Sequence, residues 1–573
     1  MNSPTPAIVA QGAVRRLPRV ALWLFCAAYV LPGFIGRAPW KSADMTSFGY
    51  MLELARGATG WLHPQLLGLP PETDGPMPYW LGALALQAAP GWITPAFAAR
   101  IPFILLLALT LVATWYGVYY LARSAQAQPV AFAFGGEAKP TDYARAMADG
   151  GLLALMACLG LAQLSHEITP ALTQVCFTAL TFYAVAAAPY RTVAPAIGLA
   201  VGMAGLVASG APAMATLFAA GSAILCLSET GESADERRRS VRWAGAIVVV
   251  TLLAAWLAAW LDLWHWRAVL PDNRWVEWRN LARLLLWFTW PAWPLALWTL
   301  WRWRRQLASR QLSRHLALPL WFVAVSIGAM VIMQPADRAL LLGMPALATL
   351  AAFALPTLKR SVTALIDWFT LLFFTGSAII IWVIWISMQT GFPKQPAANV
   401  ARLAPGFEPS FSLPAFLVAL AATLTWAWLV KWRVGRNRAA IWKSLVLPAG
   451  GTALSWLLLM TLLLPVLDFA RSYAPLVARV VSVINHPECV EVYGLSRGQI
   501  TAFQYRGKLN LKNATMQAQC PWLVVDADVR GTLHKSVDLK QWTAQGIFRR
   551  PSDDNENVLL YKRVTRQNAG TRP

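Results

Sequence analysis

The sequence predicts a polytopic α-helical membrane protein with about thirteen transmembrane helices, followed by a small C-terminal α/β extracytoplasmic domain. Three observations predict it. The chain is 57% hydrophobic and only 13% charged over 573 residues, whereas an average soluble domain is roughly 25% charged. Its mean hydropathy is +0.47. Apolar runs of about 20 residues, long enough to cross a hydrocarbon core, recur along most of the chain. Short Arg/Lys runs separate alternate pairs of them, which is the pattern of a positive-inside bias. The net charge of +22 therefore reads as topology and contact with anionic headgroups. Membrane lipids, and no nucleic acid, are the partners it implies.

Taken in order, Arg15, Arg16 and Arg19 precede an apolar run at 20–36. This resembles a signal sequence, but the run is long and ends in FIGRAP without an A-x-A site, so an uncleaved first span is expected. Further spans are expected at 98–122, 146–164, 170–188, 191–207, 211–228, 242–263, 282–301, 316–334, 339–356, 362–388, 413–432 and 446–468, from apolar length. The pair meeting at Ser209-Gly210-Ala211-Pro212 could equally be one broken helix. With the N-terminus cytoplasmic, the basic segments 1–19, 123–145, 229–241, 302–315, 359–360 and 431–443 share that side. The other side receives 37–97, 165–169, the Ser209 turn, 264–281, 335–338, 389–412 and 469–573. An odd span number follows, with the C-terminus periplasmic.

The first outer segment, 37–97, carries the carboxylates Asp44, Glu53, Glu72 and Asp74. Phe48, Met51, Leu52 and Ala55 recur at helical spacing and predict an amphipathic helix over 44–56, lying on the membrane. A second short helix is expected after Pro76, anchored at the interface by Tyr79, Trp80 and Leu81. Beyond Ser472 the character changes. Residues 488–494 and 521–526 read as strands, Arg497–Tyr505 as a helix, and 546–562 as two short strands. This divides the chain into a transmembrane domain over 1–471 and a periplasmic α/β domain over 472–573, of plausible independent size. The tail has no GxGxxG, Walker or zinc-ligand spacing, so it also reads as a lid or docking module without chemistry. Cys489 and Cys520 lie in it and are free to pair outside the cytoplasm, although two cysteines fix no framework.

The loop continues from Asp44 through Gly60-Trp61, Pro64, Leu66–Leu69 and Pro76-Met77-Pro78-Tyr79-Trp80 to Ala98-Ala99-Arg100-Ile101-Pro102. An acid just after the first span, an amphipathic helix and this run together resemble the GT-C superfamily of membrane glycosyltransferases. The likeness is to the bacterial branch that includes the lipid A aminoarabinose transferases and is related to the protein O-mannosyltransferases. It covers essentially the whole chain, and the first 100 residues carry most of its specificity. It implies a mostly helical fold, an undecaprenyl (polyprenyl) phosphate sugar donor, and a lipid A or other envelope glycan acceptor. Transfer would be inverting, on the periplasmic face of the bacterial inner membrane. The resemblance implies no particular cofactor, and a metal requirement stays open. In the family an Asp of the first loop acts on the acceptor, and that role carries over to Asp44 alone. A positioned carboxylate can take the proton of a weakly nucleophilic hydroxyl as the new bond forms. The departing phosphate needs Arg, Lys or a metal.

The sequence departs from the family at several points. Met45 stands where relatives have a second acid, Asp74 replaces a Lys, and Ser209-Gly210 replaces a Lys-Gly pair. Thr169 stands at an acidic position, with Glu167 the nearby carboxylate. Asp74 and Glu167 are candidates to orient hydroxyls, with His166 as an orienting group and Tyr79 at the Pro-rich turn. Arg338, in QPADRALLLGMPAL, and Arg100 are candidates for the donor phosphate, because an Arg fork matches phosphate oxygens. Arg267 is a third outer arginine. Each has a plainer reading: Asp44 as a helix cap, Asp74 as a turn residue, Glu167 as a solvated span end, and Arg338 as a partner of Asp337 or a snorkelling group. Two other functions compete. A transporter or flippase for a lipid-linked substrate predicts inverted repeats and mid-membrane charges, and neither is legible. A catalytically inactive GT-C-like interaction protein would keep the fold without the chemistry.

Overall fold

The computed structural model describes residues 5–564, except 74, 229–232, 266–273, 310–312, 435–439, 486 and 554–555. Each apolar segment predicted above is helical. Six helices are by themselves long and apolar enough to cross a membrane: Pro95–Ala122, Pro170–Ala187, Ala234–Trp260, Arg314–Ile332, Arg360–Thr390 and Leu413–Arg433. The pair Ile441–Leu459 and Leu464–Arg471, bent by 70°, makes a seventh if read as one span. The remaining predicted spans are shorter or interrupted, so the count of about thirteen holds only if these are included. Arg19–Val30, Val193–Ala208 and Pro212–Ser228 are short apolar helices. The segment at 282–301 divides into Trp275–Phe288 and Ala292–Arg302, at Pro291, which has no N–H to continue the ladder. The segment at 146–164 divides at Cys158. The Ser209 turn separates two distinct helices, with Gly210 at φ +81°, a conformation that suits glycine. Proline opens Pro95–Ala98, Pro140–Ala157 and Pro170–Ala187, where its missing N–H costs no helical bond.

Several inter-span segments gather in two groups. At one end the Ile168 N–H donates to Asp44, Arg338 pairs with Glu167, the Gln174 amide donates to the Ser209 carbonyl, and Lys41 pairs with Asp553. At the other end the Val130 and Ala138 N–H groups donate to the Ala7 and Val9 carbonyls. There the Trp442 indole donates to the Arg15 carbonyl and the Gln306 amide to that of Gln126.

The helix predicted over 44–56 forms as Ala43–Ala55, but in different surroundings. Asp44, Met45, Ser47, Phe48, Gly49, Tyr50, Met51 and Leu54 are all buried, so it is an internal layer and not a membrane-surface helix. Two glycines allow this. A Cβ on Gly82, in Met77–Ala88, would overlap the Met51 side chain, and a Cβ on Gly49 would overlap Thr501 of the tail. Phe48 also meets Tyr505 edge-on at 4.9 Å between centroids. Gly49→Ala is therefore expected to push the tail helix away, at a cost of about 1–3 kcal/mol. Earlier release of the tail by limited proteolysis would register it.

The tail helix Arg497–Tyr505 has its predicted bounds, fixed by a Ser496/Gln499 capping box that satisfies two N–H groups at its start. The strands are β1 (Val490–Tyr493), β2 (Leu511–Asn513), β3 (Trp522–Asp526), β4 (Trp542–Arg549) and β5 (Asn557–Arg563), in the order β2-β1-β3-β5-β4. β1 runs parallel to β2 and β3, and β5 is antiparallel to β3 and β4. β2, three residues long, is too short to show an alternating pattern. Side chains alternate across the sheet. Val490, Val492, Val524 and Leu560 join the main core with Tyr473, Leu476 and Val477. Leu523, Val525, Leu559 and Tyr561 form a separate cluster with Leu533 and Trp542. The hydrophobic core therefore runs without a gap across residues 471–472. Cys489 and Cys520 form a disulfide joining the approaches to β1 and β3. Breaking it with Cys520→Ser should cost the tail about 2–4 kcal/mol, seen as faster proteolysis there.

Candidate functional site

After Arg19–Val30, Gly33 and Gly36, both at positive φ, turn the chain back into the protein. A Cβ on Gly33 would overlap the Trp456 ring. This turn delivers Arg37 next to Asp44, which sits in the first turn of Ala43–Ala55. Asp44 Oδ2 accepts from Arg37 Nη2 at 3.1 Å and from the Trp40 N–H at 3.0 Å, and Oδ1 accepts from the Ile168 N–H at 2.9 Å. Arg100 Nη2 lies 3.6 Å from Oδ2, and the side chains of Arg37, Arg100 and Asp44 are each at most 1% exposed. Arg100 donates to the Arg37 carbonyl, and Arg37 Nη2 donates to the His166 carbonyl at 2.7 Å.

Asp468 completes the charge balance. It accepts from the Ala38 N–H at 3.0 Å and the Trp40 indole at 2.7 Å. The Arg37 and Arg471 guanidinium groups lie 4.5 and 5.1 Å from the Trp40 ring centroid, within cation–π range. Four guanidinium nitrogens, Nε and Nη1 of Arg37 and Nε and Nη2 of Arg100, make no hydrogen bond among the described residues. Asp44 thus does more than cap a helix: one buried carboxylate joins the first loop, the start of Ile101–Ala122 and the 165–169 turn.

Glu167 is the neighbouring acid, 8% exposed. Its Oε1 accepts from Gln163 at 3.3 Å and its Oε2 lies 3.9 Å from Arg338 Nη2. Burial raises its affinity for a proton, the Asp44 charge raises it further, and Arg338 opposes both. The Arg338 side chain is 27% exposed, the most open of this group. His166 is a core residue. Its ring is packed among Tyr29, Phe34 and Trp456, and its nitrogens face the Ala162 and Tyr29 carbonyls. Burial lowers its pKa to about 4, so it is neutral at pH 7 and holds Arg37 through its backbone.

Tyr79 belongs to a second cluster. Its ring lies 5.2 Å from that of Tyr50. The Tyr50 hydroxyl donates to the Leu69 carbonyl and accepts from Arg497 Nε at 3.1 Å. Arg497 also reaches the Pro70 carbonyl at 2.8 Å and Glu72 at 3.4 Å, clasping the tail onto the loop. Asp74 and Arg267 lie outside the described residues. Beside the former, Gly75 packs so closely on Ser209-Gly210 that a Cβ would overlap their backbone.

Arg37, Trp40, Asp468 and Arg497 escaped sequence reasoning. An arginine on the side expected to be outer, one residue after a turn glycine, was the available signal for Arg37. The pairing of Trp40 with a residue more than 400 positions away had none. Among the described residues no three His, Cys, Asp or Glu side chains gather to hold a metal ion. An apolar cavity of about 360 Å³ lies between Ala292–Arg302, Arg360–Thr390 and Val446–Leu459, with Trp290, Trp298, Ile366 and Phe369 in its lining.

A bundle of apolar helices with a buried Arg–Asp–Arg cluster at one end, and a small α/β tail packed on the same loop helix, defines a polytopic membrane protein with a polar site at that end. No family model and no curated protein matches the sequence, but the fold does have solved counterparts. It is similar to the crystal structure of ArnT from Cupriavidus metallidurans bound to undecaprenyl phosphate, with a TM-score of 0.58 and 14% identity, covering 97% of this chain and 100% of that one. The same protein in the apo state gives a TM-score of 0.54 at 14% identity, covering 95% and 96%. The chain therefore has an ArnT-like fold along nearly its whole length.

Proposed function

We propose that this protein is an inner-membrane glycosyltransferase that moves a sugar from undecaprenyl phosphate to lipid A or another envelope glycan on the periplasmic face. The observation that carries this reading is the fold shared end to end with a protein crystallised with undecaprenyl phosphate. The Asp44–Glu167–Arg338 cluster supports it, as it supplies acids for the acceptor and a cation for the phosphate. The disulfide fits a tail, residues 472–573, in an oxidising periplasm, with the N-terminus in the cytoplasm. Arg338 binds the donor phosphate, and Arg100 and Arg37 add positive charge behind it. The isoprenoid chain lies in an apolar groove between spans. Attack on the face opposite the phosphate inverts the anomeric centre.

In the first reading Asp44 is the general base, using the lone pair of Oδ1 left beside the Ile168 N–H among the described residues. One observation favours a second assignment within the same reaction. Asp44 is sealed from solvent at 1% exposure, whereas Glu167 keeps 8%, pairs with the more open Arg338 and has a raised proton affinity. Glu167 then takes the acceptor proton, and Asp44 fixes the arginines. The test of the function is the mass of envelope glycans and lipid-linked sugars in wild type, a deletion strain, and the deletion carrying Asp44→Asn or Glu167→Gln. Loss of one sugar on deletion, with accumulation of the lipid-linked sugar, is expected. Unchanged glycans in the deletion strain would overturn the reading in favour of a flippase or an inactive relative.

A further inference from the structure

We propose that the first outer loop and the tail together form a saccharide pocket that holds a distal sugar of the acceptor, at a place separate from the transfer site. The inference rests on the transferase reading above. The pocket is a cavity of about 460 Å³ lined by Glu53, Thr59, His63 and Gln65 of the loop and Gln504 of the tail helix, with Gly60 and Gly68 at its edge. The two glycines have open space where a side chain would stand.

The lining defines the ligand class. A carboxylate, two carboxamides, a hydroxyl and an imidazole offer donors and acceptors in mixed array, which matches a ring of hydroxyls that both give and accept hydrogen bonds. Among the described residues no Lys or Arg lines the cavity, and the lining is not that of a phosphate site. Glu53 has Arg56 as its ion-pair partner, at 3.7 Å, and its own side chain is 16% exposed. That leaves a carboxylate with acceptor capacity at the pocket wall. Partial burial raises its proton affinity, as expected of an acid whose water has been partly removed.

The walls are fixed by local bonds. The Gln65 N–H donates to Thr59 Oγ1 at 2.8 Å, and the Ala58 N–H donates to the Glu53 carbonyl at 2.9 Å. Leu66 and Leu69 exchange backbone hydrogen bonds at 3.0 Å, and Asn513 of β2 donates to the Leu67 carbonyl at 3.1 Å. The tail therefore both supplies a lining residue and holds the loop in shape.

Position sets the role. Glu53 follows Asp44 by nine residues on one helix, which is about 14 Å along the axis and about 2.5 turns around it. The pocket thus opens on the face of that helix opposite Asp44. A sugar bound there is not the one being glycosylated but belongs further along the same glycan.

The test uses the full-length protein in lipid nanodiscs and, as probe, oligosaccharide released by mild acid from the envelope of the source bacterium. Saturation-transfer NMR should show ring protons of the probe in contact with wild-type protein. Glu53→Gln and, separately, Gln504→Ala should weaken binding by about tenfold, the loss of one good polar contact. The same variants should raise the acceptor KM by a like factor and leave kcat unchanged, while Asp44→Asn should bind the probe normally. If both pocket variants bind the probe as wild type does and keep its KM, the pocket is overturned and the transferase stands. If wild type binds the probe through Glu53 and Gln504 but transfers no sugar, the saccharide pocket stands and the transferase reading is the one that fails.

Discussion

Asp44→Ala is expected to abolish transfer and to cost about 3–5 kcal/mol of stability, the range for removing one partner of a buried ion pair. The reason is the company the carboxylate keeps. Two guanidinium groups, both buried, face it, and together they already carry four nitrogens without hydrogen bonds. Removing the negative charge leaves two buried cations with Asp468 as the nearby counter-charge. The midpoint of thermal unfolding in detergent reads the loss. Replacing Arg37, Asp44 and Arg100 together by apolar residues of similar volume should recover much of that stability and none of the transfer. Should Asp44→Ala unfold like wild type yet transfer nothing, Asp44 would have to be the base itself and not the anchor of the arginines.

Glu167→Gln is the second large effect, with the opposite signature. Transfer is expected to fall by about 10²–10⁴-fold, the usual contribution of a general base. Stability should hardly change, because the Arg338 contact is long and partly open, and such pairs contribute about 0–1 kcal/mol. The pH dependence follows from the raised proton affinity of Glu167. A proton acceptor must be ionised, so the rate falls as pH drops through a value above the ordinary carboxylate range. Arg338→Ala removes the charge that opposes this rise and should move the acid limb to still higher pH. For stability the sign is reversed. The fold favours protonated Glu167, a contribution complete below its unfolded pKa and lost as pH rises through the folded one. Retention of the acid limb in Glu167→Gln would return the base role to Asp44.

The helices were legible because apolar length and proline at the first turn are local signals. Their interruptions were less so. Cys158 carries no breaking signal, and the short first helix ends where Gly33 must pass Trp456, a packing fact. Asp44, Arg100, Glu167 and Arg338 stood out because charges are scarce in such a chain, and the structure brings them to one place. His166 stood out for the same reason, but its ring fills a gap in the core. The burial of Ala43–Ala55 escaped the sequence because part of its cover, Thr501 and Tyr505, is encoded more than 400 residues later. Asp468 and Arg497 were invisible for the same reason, since no periodicity links positions so far apart.

The bond between Trp40 and Asp468 has a consequence for synthesis. Arg37, Asp44 and Arg100 leave the ribosome early, but the second acid that balances the two arginines arrives only with the last apolar segment. Lys41, the next residue after Trp40, then waits for Asp553, at 2.5 Å, in the final stretch of the tail. Until Asp468 is made, Asp44 alone stands against the two arginines. The polar centre can therefore be completed only after Asp468 and Asp553 have been made, late in the synthesis of these residues.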